Sequence, residues 1–144
     1  MVRVGSGENN NQRSVAYGDG VYKSTDGGKT WTNTISNVVG VPENNGVDHI
    51  EASPYDSNTA YAVFDVHTSG DMAAYASKTT DLGKTWKNIR PAKDVNGFVR
   101  NIQEDYVNPD LLFLGTEFGL YVTINSGNSW AKFTKNMPSV AVHF

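Results

Sequence analysis

The chain has 144 residues, 38% hydrophobic and 11% aromatic, with a formal net charge of −3 at pH 7. This length allows one domain with a core, and the slightly acidic balance, with no run of Lys or Arg, argues against a dedicated nucleic-acid binder. Because the chain has no cysteine, disulfides, thiol nucleophiles and cysteine-ligated metal sites are excluded.

The predicted elements begin at the first residues. Val2–Gly5 indicates a strand, and the sequence shows neither a signal peptide nor a membrane-spanning segment. We therefore expect no membrane partner, while the compartment stays open. Fourteen glycines, together with aromatic residues that favour strands, predict an all-β protein with many tight turns.

An eight-residue pattern occurs three times along the chain. Its copies are Ser24–Trp31, Thr79–Trp86 and Thr123–Trp130, and 55 and 44 residues separate the successive tryptophans. Spacings of this length are typical of repeats in which each copy belongs to one four-stranded unit. We therefore predict three such units in series.

Each copy predicts a tight β-hairpin turn. The Asp or Asn at its third position accepts hydrogen bonds from backbone N–H groups just ahead, the following glycine adopts a positive φ, and the tryptophan buries its ring where adjacent hairpins meet. A self-satisfied turn is favoured over a calcium or ligand loop. The residues assigned to these structural roles are Asp26, Gly28, Trp31, Asp81, Gly83, Trp86, Asn125, Gly127 and Trp130.

Strand-forming segments on both sides of the turns predict the rest of each unit. The first unit covers about residues 1–35 and lacks an innermost strand, the second about 47–90, and the third about 98–134. Ser139–Phe144 has the pattern of an innermost strand with nothing after it. We predict that this strand completes a first unit, in its own chain or in a neighbouring one.

These motifs resemble the Asp-box (BNR) repeat, in particular the sortilin-like (VPS10-type) and bacterial "BNR-repeat glycosyl hydrolase" β-propellers. Ser24–Trp31 matches the signature S-x-D-x-G-x-T-W in full, Thr79–Trp86 has Thr in place of Ser, and the third copy departs at Asn125 and Ser129. The resemblance implies that the units are three four-stranded propeller blades and that the protein belongs to a group often found outside the cytoplasm. It does not specify an activity, because one fold hosts many functions.

The resemblance also implies an assembly. Propellers of this kind have six or more blades, and three blades cannot close a ring, so an open arc leaves two apolar faces in water. We therefore expect a homodimer that forms one six-bladed ring, since two-fold symmetry is the commonest arrangement of oligomers. A trimer with nine blades, or a segment of a longer propeller, is the alternative.

Propeller ligands usually bind over the central channel, and loops on that face provide the candidate binding residues. The loop Ser6–Asp19 has a carboxylate, amides, a guanidinium and an aromatic ring. This mixture suits carbohydrate or peptide recognition, although it also suits a solvated loop. The candidate binding residues are Glu8, Asn10, Arg13, Tyr17, His67 and Glu117.

The sequence selects no catalytic residue. Glycoside hydrolysis requires two facing carboxylates, and no spacing favours one pair over another. The chain has isolated histidines and no metal-binding motif, so we expect no metal and no other cofactor. The carboxylates considered are Glu8, Asp19, Asp48, Asp65, Asp71 and Glu117, and the histidines are His49, His67 and His143.

We predict a non-catalytic binding or interaction module with a carbohydrate or peptide ligand. One alternative is an inactive structural fragment, such as a truncated or engineered propeller. The other is a glycoside hydrolase, although a sialidase is disfavoured because the chain has only four arginines and no F-R-I-P-type motif.

Overall fold

The computed structural model describes residues 3–6, 21–41, 46–66, 70, 73–89, 97–136 and 140–142. In these residues the fold consists of three antiparallel sheets and one short 3-10 helix, Ile35–Asn37. The predicted all-β class is therefore confirmed. No helix in these ranges is both long enough and apolar enough to cross a membrane.

The strands of each sheet are arranged in chain order, so that consecutive strands pair as a meander. The strand-forming segments predicted on both sides of the three turns are strands in the structure. The first sheet has β1 (Arg3–Ser6), β2 (Val21–Ser24) and β3 (Thr32–Asn33); the second has β4 (Gly46–Ala52), β5 (Ala60–Asp65), β6 (Tyr75–Thr79) and β7 (Lys87–Asn88); the third has β8 (Val99–Glu104), β9 (Leu112–Thr116), β10 (Gly119–Thr123) and β11 (Ala131–Phe133).

The second sheet is the middle layer of the described structure, and strand β5 is buried on both of its faces. Ala62 and Phe64 belong to the core shared with the first sheet, whereas Tyr61 and Val63 belong to the core shared with the third. Successive side chains of a strand point to opposite faces. The continuous apolar run in β5 therefore stabilises two sheet junctions at once, each buried large side chain contributing about 1.5–3 kcal/mol.

Polar contacts add to both junctions. The Asn37 side-chain amide donates to the Gly83 carbonyl at 2.8 Å, which ties the 3-10 helix to the second sheet. The Tyr61 hydroxyl donates to Glu104 Oε1 at 3.0 Å between the second and third sheets. Burial, aided by the nearby Glu104 carboxylate, raises the pKa of Tyr61 and so keeps this hydroxyl a donor.

The three turns share two hydrogen bonds from backbone N–H groups to side chains of the same turn. The backbone N–H at the seventh position donates to the Asp or Asn side chain, and the N–H of the fifth-position glycine donates to the hydroxyl at the first position. The glycines have φ of +91°, +78° and +88°. Each turn is thus closed by its own groups. The glycines are Gly28, Gly83 and Gly127, and the accepting side chains are Asp26, Asp81 and Asn125.

The acidic members of the first two turns are held as carboxylates. The Thr30 hydroxyl and amide donate to Asp26 and lower its pKa from 3.8 to about 2. Thr85 does the same for Asp81, whose pKa is also about 2. A carboxylate that accepts several hydrogen bonds is favoured in its charged form.

The three turn tryptophans differ in their surroundings. Trp86 is only 5% exposed, and Trp130 is half-buried, with its Nε1 donating to the Ile89 carbonyl at 2.7 Å. Trp31 is 46% exposed, and its Nε1 donates to the Gly28 carbonyl within its own turn. Within a single chain Trp31 therefore does not bury its ring as predicted, because each of the other rings packs on the preceding sheet and no sheet precedes the first among the described residues.

Val140–Val142 lie against the third sheet. The Val142 backbone N–H donates to the Thr116 carbonyl at 3.0 Å. These residues are not part of a strand, and completion of a first unit by Ser139–Phe144 remains a prediction.

Candidate functional site

Strands β4 and β8 form the inner edge of the described structure. Each is the edge strand of its sheet, and the two contact each other across the sheet junction. Both have a register shift at the same place, between Val47 and His49 in β4 and between Val99 and Asn101 in β8. Bulges of this kind redirect a side chain and are frequent beside functional sites. The intervening residue in β8 is Arg100.

Arg100 pairs with Glu117 at this edge. Its Nη2 and Nε lie 2.8 and 3.1 Å from the same carboxylate oxygen, Oε2. The side chains are 33% and 31% exposed. The pair is therefore accessible to solvent on one side, and it leaves Nη1 of Arg100 and Oε1 of Glu117 outside these two bonds.

One aromatic ring packs on this ion pair, and a second follows Glu117 in the chain. The guanidinium carbon of Arg100 lies 4.5 Å from the centroid of the Phe98 ring, and Phe118, next to Glu117, is 44% exposed. Gly97 has φ +107°, and a Cβ built on it meets the Phe118 ring at 2.7 Å. Only glycine allows the ring to lie this close. We call Phe98, Arg100, Glu117 and Phe118 the Arg100 cluster.

Val142 lies against the end of β9 that leads to the cluster. Val142 bonds to Thr116, which precedes Glu117 in the chain, and the Val142 carbonyl lies 2.5 Å from a Cβ built on Gly115. Asn101 Oδ1 also meets this built Cβ, and in the described part of the chain it has no hydrogen-bond partner although it is buried. A side chain at residue 115 would displace both.

Strand β4 adds charged groups to the same edge. His49 Nε2 lies 3.7 Å from Glu51 Oε2, with side-chain exposures of 39% and 22%. Asp48 is exposed at the bulge position that Arg100 occupies in β8. The edge therefore presents both signs of charge.

The structure describes part of the predicted site. Glu117 is in the Arg100 cluster, Asp48 is in β4, and Asp65 ends β5. Of the residues proposed for binding or catalysis, the following lie outside the described residues: Glu8, Asn10, Arg13, Tyr17, Asp19, His67, Asp71 and His143.

Sequence reasoning did not select Arg100 as a site residue. The available signal was a charged residue within the otherwise buried segment Phe98–Ile102. Its placement depends on the bulge, which is set by pairing with β9. No group of three or more His, Asp or Glu side chains suited to a metal ion occurs in the ranges that the structure describes.

No family model matches the sequence, and no curated protein is significantly similar to it. Three solved structures illustrate what the fold is similar to. An ancestral GH74 enzyme has 18% identity and a TM-score of 0.61 over 80% of this chain and 16% of that chain. YCF48 bound to D1 peptide has 20% and 0.59 over 83% and 36%. The GH74 xyloglucanase from Xanthomonas campestris has 19% and 0.58 over 78% and 17%.

These neighbours are β-propellers, and at such low identity the likeness concerns the fold alone. The chain spans between 16% and 36% of the length of the three neighbours. The antiparallel sheets of this chain therefore have a β-propeller fold.

Proposed function

We propose that this chain is a β-propeller binding module that takes an extended peptide along its inner edge, at the Arg100 cluster. In this proposal the three sheets are three Asp-box blades, and a second copy completes the ring. The observation on which the proposal depends is the Arg100–Glu117 pair, about one third exposed, at the bulge of an innermost strand.

The inner edge suits a peptide backbone. In the described sheets β4 and β8 have a neighbouring strand on one side only. An extended peptide pairs with such an edge through main-chain hydrogen bonds, while pockets beside the edge select its side chains. The bulges interrupt regular pairing, so we expect short contacts rather than a full added strand.

The ion pair offers complementary groups to an amide. Arg100 Nη1 is a donor and Glu117 Oε1 is an acceptor, and neither takes part in the two bonds within the pair. A peptide unit has one acceptor and one donor to match them. Phe118, which is 44% exposed, provides apolar surface for a side chain of the peptide.

Two of the structural neighbours indicate which ligands should be tested. One neighbour is a YCF48 protein bound to D1 peptide. Another is a xyloglucanase, which makes a glucan the alternative ligand. Glu117 is engaged by Arg100, so it is a poor choice for one of the two carboxylates of a glycosidase.

The test is a selection of phage-displayed random peptides on the intact protein, followed by titration of the selected peptides. Arg100→Ala removes the charged donors, and we expect it to weaken binding by about 10- to 100-fold. Lys87→Ala is the matched control, since Lys87 is an exposed cation on the outer strand β7 and its loss should leave the dissociation constant unchanged.

A parallel titration uses xyloglucan oligosaccharides. If the oligosaccharide binds wild type but not Arg100→Ala, and no peptide binds, the ligand of this site would be a glucan instead of a peptide. Cleavage of the oligosaccharide would favour the hydrolase. Selected peptides that bind wild type and Arg100→Ala equally would contradict the proposed site.

A further inference from the structure

We propose that the exposed face of the third sheet binds the exposed face of the first sheet in a second copy of this chain, repeating head to tail the packing found inside the chain. Two such contacts close a ring of six sheets. This inference rests on the blade assignment in the proposed function but not on the peptide site.

The two internal junctions share one contact. A Cβ built on Gly83 of the second turn lies 3.1 Å from Thr34 Cβ of the preceding sheet. A Cβ built on Gly127 of the third turn lies 3.1 Å from Ile89 Cβ of the preceding sheet. Thr34 follows Trp31 by three residues and Ile89 follows Trp86 by three. At each junction, therefore, a turn glycine packs on the residue of the preceding sheet that follows that sheet's turn tryptophan by three positions.

One half of this contact is open at the start of the chain. Gly28 is the glycine of the first turn, and among the residues that the structure describes the one neighbour of a Cβ built on it is Trp31, at 3.6 Å. Trp31 is 46% exposed, whereas the equivalent Trp86 is 5% exposed. The first turn thus has the glycine and the tryptophan of a junction, but no sheet among the described residues packs against them.

The other half is open at the end of the third sheet. Phe133 follows Trp130 by three residues, the position of Thr34 and Ile89, and it is 50% exposed. Thr34 and Ile89 are only 3% and 4% exposed. The receiving position is therefore present, apolar and uncovered.

The rest of the third-sheet face agrees with this role. Phe113 pairs with Val122 and Leu120 pairs with Phe133, which gives an apolar patch on the side away from the second sheet. In the second sheet the equivalents of Phe113, Leu120 and Phe133 are the buried residues by which it packs on the third. Those equivalents are Tyr61, Ala76 and Ile89.

A second copy fits both open faces at once. Each copy has one exposed face at Gly28 and Trp31 and a second, complementary exposed face at Phe133. Two copies can therefore cover both kinds of face in each other. Closed two-fold assemblies are the commonest oligomers. An isolated chain would leave the tryptophan and the apolar patch in water, which soluble monomers rarely do.

Light scattering over a dilution series tests the assembly. We expect wild type to have twice the mass of the chain, and Trp31→Asp and Phe133→Asp each to have the mass of one chain. Val39→Asp is the matched control and should stay a dimer. Val39 is also apolar and 62% exposed, but it belongs to the segment that connects the first sheet to the second and not to the proposed interface.

A cross-link tests the register. The chain has no cysteine, so Gly28→Cys combined with Phe133→Cys should give a disulfide between two chains. Thr34→Cys combined with Gly83→Cys should give one within a chain. This internal pair is a fair control, because Gly83 has a positive φ like Gly28 and its built Cβ is close to that of Thr34.

A wild-type mass of one chain or of three chains would overturn the inference, as would an internal disulfide that forms while the intermolecular one does not. The outcome is separable from the peptide site. Arg100→Ala should remain dimeric, and a dimer that binds no peptide would refute only the proposed ligand.

Discussion

The first and second turns share their hydrogen bonds but differ in what surrounds them. Asp26 and Asp81 accept the same backbone and hydroxyl groups, at distances that agree within 0.1 Å. The Trp31 side chain is nevertheless about half exposed to solvent, whereas Trp86 is buried against the first sheet. The turn is therefore a local property, whereas burial of its tryptophan requires a neighbouring sheet.

Truncating the two rings should separate these contributions most clearly. In a Phe133→Asp background, where we expect single chains, Trp86→Ala should lower the free energy of unfolding by about 3–5 kcal/mol. Trp31→Ala should change it by less than about 0.5 kcal/mol, as exposed positions do. Urea unfolding followed by circular dichroism measures both. Equal losses would show that the two rings are packed alike.

The turn glycines give a smaller effect of the same kind. A Cβ at Gly83 would meet Thr34 Oγ1 at 3.0 Å, while one at Gly27 would meet nothing within 4 Å, and both residues have positive φ. Gly83→Ala should cost about 2–4 kcal/mol through strain and overpacking, and Gly27→Ala about 1–2 kcal/mol through strain alone. Thermal unfolding of the two variants gives the difference. A Gly27→Ala cost as large as that of Gly83→Ala would contradict the tight contact.

These comparisons also explain what the sequence could predict. The repeated Asp or Asn, Gly and Trp predict the turns because the bonds that close each turn lie within eight residues. Apolar segments such as Ala60–Phe64 predict buried strands, because a short continuous run of apolar residues is itself the signal for such a strand. The exposure of Trp31 was not predictable in this way, because it depends on whether another sheet is packed against it.

The Arg100 cluster was missed for a related reason. Arg100 lies beside Glu117 because β8 is bulged where it pairs with β9, and pairing register is a property of two strands. Glu117 was selected because its loop follows a strand on the expected ligand face. Its partner, 17 residues earlier, carried no motif.

Acid should produce the smallest effect. The pKa values of Asp26 and Asp81 are lowered from 3.8 to about 2. Their contribution to stability is therefore present above about pH 4 and is lost as the pH falls towards about 2. The third turn has Asn125 at the same position, so a double variant with Asp26→Asn and Asp81→Asn makes all three turns alike.

Urea midpoints measured between neutral pH and about pH 2 check this prediction. The double variant should lose less stability on acidification than wild type does. Asp105→Asn serves as a control, because Asp105 is a half-buried carboxylate outside the two turns and its replacement retains the contribution from Asp26 and Asp81. Parallel pH profiles for wild type and the double variant would contradict the hydrogen-bond explanation of the lowered pKa values.

The most direct measurement is hydrogen exchange of the three indole N–H groups by NMR at high and low protein concentration. The Trp130 and Trp86 signals should exchange slowly at both concentrations, since their protection comes from sheets of the same chain. The Trp31 signal should be protected at high concentration and exposed on dilution, as its cover comes from a second copy. Exchange of Trp31 that is fast at every concentration, in step with free indole, would contradict the account.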